Sequence, residues 1–79
     1  MQLSNVAQKI NQGKQEFQNN TFFLANYIKV NLVTWSLLKE QISDDGLIEG
    51  LLVLIDYDLE DRYAKIGLGV GPTHATIKF

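Results

Sequence analysis

Between residues 56 and 74 the sequence gathers most of the side chains that could do chemistry. Asp56, Asp58, Glu60 and Asp61 crowd into six positions. Such a cluster can hold a hard cation, supply an acid–base pair of carboxylates, or dock a basic partner. A calcium loop needs Gly at its sixth position for a sharp turn and a bidentate Glu at its twelfth to close the shell. Counted from Asp56, those positions hold Asp61 and Gly67, so the pattern fails and no metal site is expected. Glycoside hydrolysis by paired carboxylates needs a cleft of roughly several hundred cubic ångströms. A chain of 79 residues has little material to enclose one.

Glycines follow the acids. Gly67, Gly69 and Gly71 read G-x-G-x-G-P with Pro72. A dinucleotide loop needs G-x-G-x-x-G opening a helix, because the pyrophosphate rests on that helix's N-terminus. Here a strand-like segment follows, and no Lys-Ser/Thr pair completes a P-loop. The structural reading is that Gly67 and Gly69 share one strand face and admit a bulky group, with Trp35, Phe22 or a helix expected to pack there. His74 is the single histidine. A hydroxyl nucleophile needs a base beside it, yet none of Ser4, Ser36, Ser43 and Thr73 stands in a G-x-S-x-G elbow. No catalytic residue, cofactor or metal ligand is assigned, and the chain is expected not to be an enzyme.

Two candidate sets remain. Asp56, Tyr57, Asp58, Glu60, Asp61 and Tyr63 form an acidic tip flanked by tyrosines. On a hairpin the two tyrosines would face each other, and Tyr beside carboxylates also suits gripping Arg or Lys on another protein. The second set, Lys65, Gly67, Gly69 and His74, would line a site between subunits for a small metabolite or nucleotide.

The totals narrow the class. The net charge is −2; residues 1–46 are balanced and the acid excess falls after them. No basic patch is visible, so direct nucleic-acid binding is not expected. There are no cysteines, which removes disulfides and thiolate metal sites and fits a reducing compartment. No apolar run approaches the roughly 18 residues of a membrane span, and "MQLSNVAQKI" lacks the basic-then-apolar order of a secretory signal. The expectation is a cytoplasmic protein without a membrane partner. A domain this small buries only about 60% of its unfolded surface, so self-association is expected to reinforce it.

The elements that must position these residues read as follows. Residues 2–18 form an amphipathic helix with Leu3, Val6, Ala7, Ile10 and Phe17 on one face. Gly13 weakens its centre by about 1 kcal/mol relative to Ala. Residues 21–33 are apolar nearly all round; the alternation over 28–32 favours a strand, with a wholly buried helix as the alternative, and either way the segment is expected in the core. "TWSLLKEQISDDG" reads as a short helix capped by Thr34 or Ser36 and ended by Gly46. Residues 47–58 and 62–70 read as a hairpin whose turn is "DLED". "GPTH" makes a second turn, and "HATIKF" a final strand near an edge, where a second copy could pair.

The fold expected is a single α+β domain over residues 1–79, with an N-terminal amphipathic helix, a short second helix and an antiparallel β-meander in the C-terminal half. The function expected is a small acidic, non-enzymatic protein-interaction module — an inhibitor, immunity-type protein or adaptor that docks a basic surface. The alternative is a homo-oligomeric ligand-binding protein using the inter-subunit set.

Overall fold

In a computed structural model that describes residues 3–69 and 73–79, the first apolar stripe becomes α1, Val6–Thr21. Val6, Ile10, Gly13 and Phe17 are its buried positions, the three- and four-residue spacing of one helix face. The helix starts later than residue 2 because Asn5 turns the chain into it through a left-handed conformation, φ 56°. It ends where Phe22 adopts φ 64° and its N–H donates to Gln18 O at 2.8 Å. Gly13 has a specific reason. A Cβ there would lie 2.6 Å from Ile66 Cδ1 and 2.7 Å from Ile77 Cγ2, so the glycine lets α1 seat directly on the sheet.

The segment 21–33 divides. Tyr27–Val30 is strand β1, with Ile28 and Val30 fully buried. The expectation of a uniformly buried core segment does not hold for its ends. Phe22, Phe23 and Leu24 are 89%, 62% and 70% exposed, because they lie in the turn that carries the chain from α1 to β1. Leu32 and Val33 already belong to α2, Leu32–Leu38, which continues as a 3₁₀ turn over Lys39–Gln41. The cap of α2 is Asn31, whose side chain accepts from Thr34 N at 2.8 Å, rather than Thr34 or Ser36. Gly46 does not end the helix, since Ile42 is already extended. It sits at φ 80° in the following turn, and its carbonyl accepts from Val53 N.

Strands β2 (Leu47–Ile48), β3 (Leu51–Ile55), β4 (Tyr63–Gly67) and β5 (His74–Lys78) complete one five-stranded sheet in the order β2-β3-β1-β4-β5. The α+β class holds. The antiparallel meander does not: β1 pairs with β3 in parallel, Ile28 opposite Val53, and with β4 antiparallel, Ile28 opposite Ile66. The expected hairpin therefore does not form, because β1 occupies the position between β3 and β4. Parallel neighbours need a crossover, and α2 supplies it between β1 and β3. Residues 56–62 are then the loop that passes over the end of β1, across about two strand spacings of ~4.8 Å each.

Both helices cover one face. Val6 and Ile10 of α1 and Leu38 of α2 join Ile28, Val30, Ile48, Leu51, Ala64, Ile66 and Phe79 in a single buried cluster. On β4, Ala64 and Ile66 point inward and Tyr63, Lys65 and Gly67 outward, the two-residue alternation of a strand; Leu68 and Gly69 follow the strand's end. The final strand β5 lies at an edge of the sheet. The expected "GPTH" turn, with Gly71, Pro72 and the strand position of Val70, lies outside the described residues. No helix among the described residues is long and apolar enough to cross a membrane.

Candidate functional site

The acidic cluster occupies the 56–62 loop, and the start of α2 holds that loop in place. Asp56 N–H donates to Val30 O at 2.8 Å, extending the β1–β3 ladder by one bond. The Asp56 carboxylate then accepts from Asp58 N at 3.0 Å, an Asx turn that reverses the chain. Asn31, buried beneath the loop, uses both ends of its amide. Its Oδ1 caps α2, and its Nδ2 donates to Leu59 O at 3.1 Å and to Asp61 Oδ1 at 2.7 Å. Thr34, fully buried, accepts from Arg62 N at 2.7 Å through its hydroxyl. Arg62 sits at φ 69°, and its carbonyl accepts from Phe79 N at 2.7 Å.

This geometry sorts the predicted partner-binding residues. Asp61 turns back to Asn31, and half-buried Asp56 shapes the Asx turn; both build the loop. Asp58 and Glu60 are exposed. Together with Leu59, Tyr63 and Thr76 they line a shallow cleft of about 400 Å³. Tyr57 is 79% exposed. Tyr57 and Tyr63 do not form the cross-strand pair expected on a hairpin, because Tyr57 lies in the loop and β1 separates β3 from β4. Tyr63 instead faces outward on β4 with Lys78 Nζ 5.5 Å from its ring centroid.

Leu32 and Val33 were not singled out by sequence. They form the first turn of α2 directly after Asn31, and they are 53% and 52% exposed. The acidic loop thus shares its end of the molecule with two exposed aliphatic side chains. The available signal was Asn31 itself: a cap there places the next two residues in the first turn of a helix.

The second predicted set is differently placed. Lys65, Gly67 and His74 face outward from β4 and β5, with His74 opposite Gly67 in register. A ring does pack over Gly67, as the glycine spacing suggested, but it is Tyr27: a Cβ on Gly67 would lie 2.5 Å from its hydroxyl. Trp35 borders another cleft with Ile42 and Val53, and Phe22 lies in the exposed turn after α1. Gly69 N–H donates to Asn26 Oδ1 at 3.1 Å, so this backbone donor is already engaged. Among the described residues, no three His, Cys, Asp or Glu side chains converge on a point that could hold a metal ion.

Compared with family models, curated proteins and solved structures, the chain matches none.

Proposed function

We propose that the chain is a non-enzymatic protein-interaction module that docks a basic surface of another protein, as an inhibitor, immunity-type protein or adaptor does. The observation that carries this reading is the double anchorage of the acidic loop. Asn31 and Thr34, both buried, fix Leu59, Asp61 and Arg62 by hydrogen bonds. A loop ordered before contact loses less conformational entropy on binding. It displays Asp58 and Glu60, which would steer a cationic partner. Exposed Tyr57, Leu32 and Val33 would then supply the apolar contacts that such charges lack, Tyr being a frequent anchor at interfaces. A cytoplasmic setting belongs to the same proposal, since a chain without cysteines fits a reducing compartment.

The test is affinity capture from host lysate by the immobilised chain and, in parallel, by Asp58→Lys/Glu60→Lys. Asp61 is left intact because it holds the loop. The native chain should retain a protein with a basic surface, and raising salt from about 0.05 to 0.5 M should release it through screening. The reversed chain should not retain it at either salt. Equal retention by both chains would contradict the mechanism.

A further inference from the structure

Among the described residues no strand lies beyond β5, and the ladder it makes with β4 shows which backbone groups it turns outward. Phe79 N–H donates to Arg62 O at 2.7 Å, one pair beyond Tyr63 opposite Lys78. In an antiparallel ladder, hydrogen-bonded and non-hydrogen-bonded pairs alternate. Ala75, Ile77 and Phe79 therefore direct their backbone groups to β4, and Thr76 and Lys78 aim theirs away from the sheet. The register from Tyr63 opposite Lys78 to Gly67 opposite His74 is continuous, so no bulge twists the edge away, and no proline stands in β5. Such an edge is a template for another strand.

Helix α1 packs over this side of the sheet, against β4 and β5. It runs antiparallel to β5, because the short turn 22–26 leads from its end into β1, and β1 and β5 are both antiparallel to β4. Two contacts fix its level and its roll. A Cβ on Gly13 would meet Ile77 and Ile66, and Ile66 lies opposite Ala75, so Gly13 sits level with Thr76. Lys14 reaches inward over the sheet, its Nζ donating to Glu49 O at 2.8 Å in the turn between β2 and β3. At 3.6 residues per turn, Lys9 and Glu16 lie about 140° and 160° around the helix from Lys14. They stand on the flank that faces out past the β5 edge, about one turn to either side of Gly13. Lys9 is half-buried and Glu16 exposed.

We infer that β5 pairs antiparallel with β5 of a second copy of the chain, about a two-fold axis normal to the sheet at Thr76. Thr76 of each copy then exchanges N–H and C=O bonds with Thr76 of the other, and the two five-stranded sheets become one. The same axis sets the two α1 helices antiparallel on one side of the joined sheet. Since each lies over β4 and β5, they stand about two strand spacings of ~4.8 Å apart, the usual distance between packed helices. With Gly13 at the level of the axis, Lys9 of each copy comes opposite Glu16 of the other. Those charges select the register. Moving the axis by one strand residue shifts it about 3.4 Å, or about two helix residues. A shift toward Ala75 brings Glu16 against Glu16, and a shift toward Ile77 sets Lys9 against Gln12 and Glu16 against Asn5. The interface uses the β5 edge and α1 rather than the 56–62 loop or the start of α2, so it stands independently of the proposed docking.

Sedimentation equilibrium of the full chain over a concentration series tests this. The mass should rise from one chain to two. Lys9→Glu should raise the dissociation constant by about tenfold, Glu16→Lys likewise, and the double exchange should restore native association. Thr76→Pro deletes an outward N–H that the subunit's own ladder does not use, at an edge where proline is accepted; it should raise the dissociation constant by about a hundredfold, with the far-ultraviolet circular dichroism unchanged. Lys9 and Glu16 lie outside the core, so the charge exchange decides the matter even if Thr76→Pro fails to fold. A single-chain mass throughout, or a dimer indifferent to the charge exchange, overturns the inference. So does a chain that stays single while Thr76→Pro abolishes capture of the lysate partner, which would assign the edge to a strand of that partner.

Discussion

Asn31→Ala removes one of the two buried side chains that anchor the acidic loop to the start of α2, and its cost can be worked from the contacts it makes. Loss of the cap on Thr34 N costs about 1 kcal/mol. Loss of the Nδ2 donor strands the half-buried Leu59 carbonyl, worth about another 1 kcal/mol; Asp61, exposed, can turn to water at little cost. The total is about 2 kcal/mol. Against roughly 3–5 kcal/mol for a domain of this size, the unfolded population rises about thirtyfold. Urea unfolding followed by circular dichroism should place the midpoint about 1–2 M lower, taking an m-value of 1–2 kcal/mol/M. Asn31→Asp separates the two roles. Asp caps a helix as well as Asn does, so if capping were the whole contribution the substitution would be silent. In the structure it also removes both donor contacts and sets a second carboxylate against Asp61 Oδ1, now 2.7 Å from Asn31 Nδ2. Asn31→Asp should therefore lose stability as well, and the Arg62 and Asp58 amides should exchange faster with solvent. An Asn31→Asp chain as stable as the native one, or an Asn31→Ala cost below about 0.5 kcal/mol, would refute the anchorage.

Two further substitutions test the packing. Gly13→Ala should gain about 1 kcal/mol of helix propensity and lose about 1–3 kcal/mol to crowding against Ile66 and Ile77; urea unfolding should show a net loss of about 1 kcal/mol, the reverse of what an exposed helix would give. Phe22→Asn should relieve the left-handed strain at φ 64°, which costs a bulky residue about 1–2 kcal/mol, while giving up a side chain that is hardly buried. Its melting temperature should rise by about 4–8 °C, read by thermal denaturation.

The sequence made some of this visible for local reasons. Val6, Ile10 and Phe17 share a helix face whatever surrounds them, and Ala64 and Ile66 alternate on β4 in any sheet. The apolar run of β3 suits an interior strand, and the sheet flanks it on both sides. What stayed hidden was which strand would lie beside it. The four residues of β1 insert between β3 and β4 through long-range pairing, and the intervening loop reads equally well as a hairpin tip when seen alone. Phe22, Phe23 and Leu24 were drawn to the core by apolarity, whereas the end of α1 leaves them in a turn. At the candidate site the acids were legible as a cluster. Of the two acids that build the loop, Asp56 does so through a local Asx turn, whereas the role of Asp61 depended on Asn31, thirty positions earlier in the chain.

The most direct measurement places a photo-crosslinking side chain at Tyr57 and compares the native loop with Asp58→Lys/Glu60→Lys in host lysate, identifying crosslinked proteins by mass spectrometry. The account predicts one dominant adduct with a protein whose crosslinked surface is rich in Arg and Lys, absent from the reversed chain. An adduct that persists unchanged after reversal, or one mapped to an acidic surface, would contradict it.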